Sequence, residues 1–181
     1  IPSASSILAA TGTGITTDYA GTTRSTTDPS MGAYEIVIDP VVDVYKSAVY
    51  QAGFSNLKDA FDALNTGRLN TGDFEIRITG SIVETGSAVL TGSGNFSSVT
   101  VFPTVTGVTI SGDLASPLIN LNGADNVIID GRVNAAGTAK DMTLTNNSVS
   151  AAAGTSTVQF INDATSNTVR YCFIKARYRI Y

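Results

Sequence analysis

The 181-residue sequence contains no histidine and a single cysteine, Cys172. Without histidine the commonest general base is missing, and zinc chemistry loses most of its usual ligands. One cysteine excludes an intrachain disulfide. Cys172 sits among Val169, Tyr171 and Ile174, a setting that fits a buried, inert thiol. Charge is also scarce. Asp, Glu, Lys and Arg make up 14% of the chain, against roughly 25% in an ordinary soluble domain. The net charge is −4 and no basic block exists, so nucleic acid is not an expected partner. The one local positive excess, Arg170, Lys175, Arg177 and Arg179, reads as a solvated strand face. No stretch approaches the ~20 consecutive apolar residues of a membrane span. No Gly-Lys-Ser/Thr phosphate loop is present. Ala10-Thr-Gly-Thr-Gly14 lacks the strand before and the helix after that a nucleotide fingerprint requires. There is no Asp-Asp pair.

What fills the space is Gly, Ser, Thr, Asn and Ala around short apolar runs. The central phrase is Ser116-Pro-Leu-Ile-Asn-Leu-Asn-Gly-Ala-Asp-Asn-Val-Ile-Ile-Asp-Gly131. It reads as strand, polar turn, strand. The same plan returns over 157–174, about forty residues later, a period that points to stacked repeats. From Asp73 the pattern is β throughout: Phe74, Ile76 and Ile78, then Ile82-Val83, Ala88 to Leu90, Val99 to Phe102, Val108 to Ile110, Leu118 to Leu121, Val127 to Ile129, Met142 to Leu144, Val158 to Phe160 and Val169 to Ile174. Ile129 is expected to face inward and Asp130 outward. Asn134-Ala-Ala-Gly-Thr138 and Ser148 to Thr155 are expected to bulge as loops.

One helix is expected before this region. Phe54, Leu57, Ala60, Phe61 and Leu64 recur at helical spacing, Ser55 or Asn56 supplies a start and Asn65-Thr-Gly67 a stop. It would cover the open end of the stacked strands, whose free edges otherwise invite aggregation. The expected organisation is a tail-like or N-terminal segment over 1–36, a strand and capping helix over 37–72, and stacked strands over 73–181. Both ends of the chain read as an excised or processed piece of something longer. A flat antiparallel sandwich is the rival arrangement; only Asn122-Gly123 offers a type I′ hairpin signal, which counts against it.

Several phrases carry a resemblance. Asp18, Gly21, Arg24, Asp28 and Met31-Gly-Ala-Tyr-Glu35 resemble the phrase that closes many bacterial secreted β-helix domains, with Met31 where Ile is usual. The helix from Phe54 to Asn65, followed by Thr104-Val-Thr-Gly-Val-Thr-Ile-Ser-Gly112 and Asn126-Val-Ile-Ile-Asp-Gly131, is similar to the right-handed parallel β-helix, pectin-lyase-like family. More narrowly it resembles large adhesin-like surface proteins that use the type IX secretion route. The resemblance implies an all-β right-handed parallel β-helix of about three strands per coil with an N-terminal capping helix, displayed outside the cell or on its surface. It implies a structural or adhesive role, with polysaccharides, surface proteins and neighbouring modules of the same chain as partners.

The alternative is a fragment of a polysaccharide lyase or glycoside hydrolase, since the family includes both. Its hydrolases use paired aspartates and a histidine, which this chain lacks; the pairs Asp125 with Asp130 and Asp130 with Asp163 are what could approach each other. Its lyases use calcium. Asp125, Asp130, Asp141 and Asp163 are the residues that could hold calcium here, given oxygen ligands on loops. Against that stands the simpler reading of turn aspartates bonded to their own backbone. No catalytic or other cofactor-binding residue is expected.

Overall fold

Alternation of apolar and polar residues sets the strands, because successive side chains point to opposite faces of a sheet. In a computed structural model the described residues are Thr17, 40–92 and 95–177. The chain divides into two compact units, 1–39 and 40–181, and the elements described here lie in the second. In order they are β1 (Val42–Lys46), β2 (Val49–Phe54), α1 (Leu57–Asn65), β3 (Asp73–Ile78), β4 (Ile82–Glu84), β5 (Ala88–Thr91), β6 (Ser98–Pro103), β7 (Val108–Gly112), β8 (Ile119–Asn122), β9 (Val127–Asp130), β10 (Met142–Asn146), β11 (Val158–Ile161), β12 (Thr168–Arg170) and β13 (Cys172–Ala176). The Asp18–Glu35 phrase and the expected 1–36 segment lie outside the described residues.

Strands three apart in sequence lie side by side. β3, β6, β9 and β12 pair in parallel, as do β4, β7, β10 and β13, and β5, β8 and β11. Each group of three successive strands therefore forms one tier, and the register stacks like residues. Leu90, Leu121 and Phe160 form one column, Ile110, Leu144 and Ile174 a second, and Val101, Ile129 and Val169 a third. All but the last member of each column have no exposed surface. At ~1.5–3 kcal/mol for each fully buried aliphatic side chain, these columns are the main stabilising term.

The expected all-β right-handed parallel β-helix is corrected by the start of this unit. β1 lies antiparallel between β2 and β3, so the six-stranded sheet is mixed. α1 buries Leu57, Ala60, Phe61, Ala63 and Leu64 in the same core as the strands. Over the described residues the architecture is an α/β-type arrangement of three sheets, mixed parallel and antiparallel, with one α-helix. The reversal was hidden for a physical reason. The turn between β1 and β2 holds Ser47 and Ala48 at φ 49° and 64°. Two-residue hairpin turns with positive φ normally carry Asn-Gly, and here neither residue signals one.

The helix shows how its ends are set. The Asn56 side chain accepts from Asp59 N at 2.8 Å, an N-cap, and Gly67 at φ 69° donates back to Leu64 O at 3.0 Å. Phe54, expected on the helix, instead ends β2. Glu84 on β4 is buried, and its carboxylate accepts from Leu57 N at 2.7 Å and Lys58 N at 3.4 Å. These are orphan donors of the first helical turn, so a charge from the sheet completes the cap. At the other end Asn65 donates to Val89 O at 2.8 Å and accepts from Thr91 N at 2.9 Å. It takes the place of a neighbouring strand along β5. This edge of the stack is therefore closed, by β1 on β3 and by α1 on β4 and β5.

Candidate functional site

Three of the four aspartates lie outside the strands and Asp130 ends β9, and the stacking places them in two groups. Asp125 precedes β9, and its carboxylate accepts from Thr165 N at 2.6 Å and Thr165 Oγ1 at 2.7 Å, one tier on. Those two bonds hold its pKa below the usual carboxylate value. Asp163 lies in the turn after β11, exposed and at φ 58°. Asp130 and Asp141 flank the opposite, looped corner, where Asp141 N donates to Gly131 O at 2.7 Å. Asp125 and Asp130 stand at opposite ends of β9, and each carboxylate is engaged by partners of its own, Thr165 for Asp125 and Arg132 with Arg170 for Asp130, so the two do not form a carboxyl pair.

Asp130 departs from its expected outward position. It is fully buried at the end of β9, beside Ile129. Arg132 reaches it through N at 3.2 Å, Nε at 2.8 Å and a terminal nitrogen at 2.5 Å. Arg170 adds Nε at 2.8 Å from the next tier. The Arg132 bonds are the main reason its carboxyl stays below the normal range, with Arg170 contributing further. With two guanidiniums in place the carboxylate has neither lone pairs nor net charge to spare for a cation. Among the described residues no three of Asp, Glu, Cys and His gather in a geometry suited to a metal.

The alternation failed at Asp130 because the backbone turns directly after it. Gly131 passes so close to the following tier that a Cβ would lie 2.1 Å from Tyr171 O. Arg132, from the loop after β9, and Arg170, from the next tier, lie over the carboxylate there. Cys172 follows Tyr171 and is half-buried, not buried as expected; desolvation still pushes its thiol up to about 11.

Two further arrangements escaped sequence reasoning. A cleft of about 160 Å³ lies beneath the loop after β10, lined by Asn146, Ser148, Thr155, Ser156 and Arg177 among others. Small-molecule sites usually have ~300–1,000 Å³, so this one suits a small polar group at most. Asn146, its floor, is almost fully buried. Its amide donates to Leu114 O, Ser116 O and Ser156 O at 2.9–3.0 Å, and its oxygen accepts from Leu114 N at 3.0 Å and Ser148 N at 3.2 Å. The only hint in the sequence was the Asn146-Asn147 that ends an apolar strand.

The second arrangement is a row of cations over aromatic rings. The Arg132 guanidinium sits 4.3 Å from the centre of the Tyr171 ring, and Lys140 and Lys175 lie 5.4 and 6.0 Å from that of Phe173. The expected solvated basic face is thus divided. Arg170 serves Asp130, Lys175 flanks an aromatic ring, Arg177 borders the cleft, and Arg179 lies outside the described residues.

These arrangements bond turns, cap strands and carry exposed rings. No helix of the described chain is long and apolar enough to cross a membrane. The chain matches no family model, no curated protein and no solved structure.

Proposed function

We propose that this chain is a structural or adhesive module of a secreted or cell-surface protein, binding glycans or other proteins through its loops. One observation carries the reading: polar side chains tie several turns and strand ends to the corresponding ones of the neighbouring tier. Asp73 accepts from Ser98 Oγ at 2.7 Å, and the Ser87 and Ser116 hydroxyls lie 2.8 Å apart. Asn162 donates to Asn122 at 2.5 Å, and Thr165 donates to Asp125. Asn146 and Asp130 anchor the two ends of β10's flanking loops in the same way. A loop held from both sides is already ordered, so binding through it loses little conformational entropy. Low charge and short polar turns suit a surface exposed to an extracellular medium, where such modules are displayed.

The test is binding of the purified chain to a glycan array and to intact cell surfaces. Replacing residues 149–154 or 134–139 with a short Gly-Ser turn should abolish binding through that loop while the melting temperature holds. Binding indifferent to both replacements would overturn the reading. So would release of oligosaccharides from polysaccharides incubated with the chain.

A further inference from the structure

Asn122-Gly123 is the one Asn-Gly pair in the chain, and it stands at the end of β8 between two other tiers. Asparagine before glycine is the pair most prone to deamidate, because glycine has no side chain to shield its nitrogen. Once its proton is lost, the Gly123 nitrogen attacks Asn122 Cγ. A Cγ–N bond forms, the Cγ–Nδ2 bond breaks and ammonia leaves. Water then opens the succinimide at either carbonyl, giving aspartate or isoaspartate. Closing that ring needs three freedoms. The nitrogen must shed its proton, the 122–123 peptide plane must rotate, and the Asn122 side chain must swing towards it. The structure opposes each one. Gly123 N donates to Ile161 O at 2.9 Å, so an anionic nitrogen would face a carbonyl oxygen. Asn122 O accepts from Gly92 N at 3.1 Å, which fixes the same peptide plane from the tier before. Asn122 Oδ1 accepts from Asn162 Nδ2 at 2.5 Å, which fixes the side chain from the tier after.

We propose that Asn122-Gly123 is a latent self-modification site, held shut by the tiers on either side, and that its isoaspartyl product breaks the corner it occupies. Thr91, Asn122 and Ile161 are in register across three strands. Isoaspartate routes the main chain through Cβ and Cγ, which adds one backbone atom at the middle strand. That atom carries Gly123 out of step with the strands on both sides. The corner has no room to absorb it. A Cβ on Gly92 would lie 2.1 Å from Gly123 O, and a Cβ on Gly123 itself would lie 3.1 Å from Asn162 O. Ring closure requires the bonds to Ile161, Gly92 and Asn162 to be released together, so it proceeds from a locally opened state. Deamidation therefore turns a brief opening of this corner into a lasting one. Water is its only co-reactant, and mild alkali speeds it because a proton must leave the Gly123 nitrogen.

Peptide mass mapping of the full chain, aged natively and in urea in the same mildly alkaline buffer, tests this. Deamidation at Asn122 should be at least about tenfold slower in the native chain, where it waits for local opening. Asn162→Gly removes the amide that holds Asn122 Oδ1, and glycine suits the backbone there at φ 54°. In this variant native deamidation should rise roughly two- to tenfold, the weight of one hydrogen bond. Asn162→Asp keeps a side chain but cannot donate, and should act in the same direction. A far-UV melt of each variant checks that the fold persists, and in urea both should match the parent rate. Equal native and urea rates in the parent overturn the proposal. So does a parent-like native rate in both folded variants. The purified isoaspartyl chain should melt below Asn122→Asp, which carries the same charge without the extra backbone atom. Coincident melts of those two would overturn the broken corner.

Discussion

Asn146→Ala is the sharpest test of how the tiers are joined. The side chain is almost fully buried; its two amide N–H groups are shared among three carbonyls, and its oxygen accepts two bonds. A typical intramolecular hydrogen bond is worth a net ~0.5–1.5 kcal/mol, which bounds the four full bonds at about 2–6 kcal/mol. The lower part of that range applies, because most partners are only part-buried and the adjoining cleft lets water reach them. The expected loss is therefore about 3 kcal/mol. For a chain of this size that lowers the melting temperature by roughly 6–12 °C. Asn146→Asp should lose at least as much, because a carboxylate cannot donate to the carbonyls of Leu114, Ser116 and Ser156. Urea denaturation followed by far-UV circular dichroism measures both, with an unchanged m-value showing that the same surface unfolds. A loss below about 1 kcal/mol in both variants would mean that Asn146 does not hold the two loops, and the reasoning would fail.

Three other outcomes follow from the same geometry. Gly131→Ala should destabilise by at least ~1–3 kcal/mol, because its methyl group would meet the Tyr171 carbonyl at 2.1 Å; a melt matching the parent would remove the close approach from the argument. Ala48→Gly should stabilise by about 1 kcal/mol, since alanine at φ 64° bears a left-handed cost that glycine escapes; a lowered melting temperature would contradict the turn at β1–β2. The last concerns acid. The folded pKa of Asp130 is lowered, chiefly by Arg132, so its contribution is present above the unfolded value near ~3.9 and disappears as pH falls below that through the folded value. Between pH ~5 and pH ~2 the parent should lose stability more steeply than Asp130→Asn, and equal slopes would show that the arginines contribute nothing.

The contrast between Ile129 and Asp130 shows how far pattern reading reaches. Period-two alternation placed Ile129 inward correctly and marked most strands from Asp73 onward, because burial of one face imprints itself on every second residue; the single strand expected from Val169 to Ile174 is instead β12 and β13, broken by a corner at Tyr171 (φ 53°). It placed Asp130 outward wrongly, because Gly131 turns the backbone under the next tier and covers a side chain that alternation exposes. The helix was legible for a similar reason, its apolar spacing and Asn56 being local signals. The partners of its ends, Glu84 and the β5 edge, lie more than twenty residues away and left no trace in the local sequence. Of the candidate aspartates, the place of Asp125, Asp141 and Asp163 outside the strands was readable, but the position of Asp130 at the end of β9 and the arginines around it were not.

By itself, then, the sequence determined which short segments become strands and which becomes a helix, because those choices depend on neighbours within one or two turns. Only the tertiary structure decided direction and exposure: that β1 runs against β3 through an unmarked turn, and that Asp130 is shut in by two arginines. Each of those depends on a residue far along the chain coming to lie alongside, and no local periodicity carries that information.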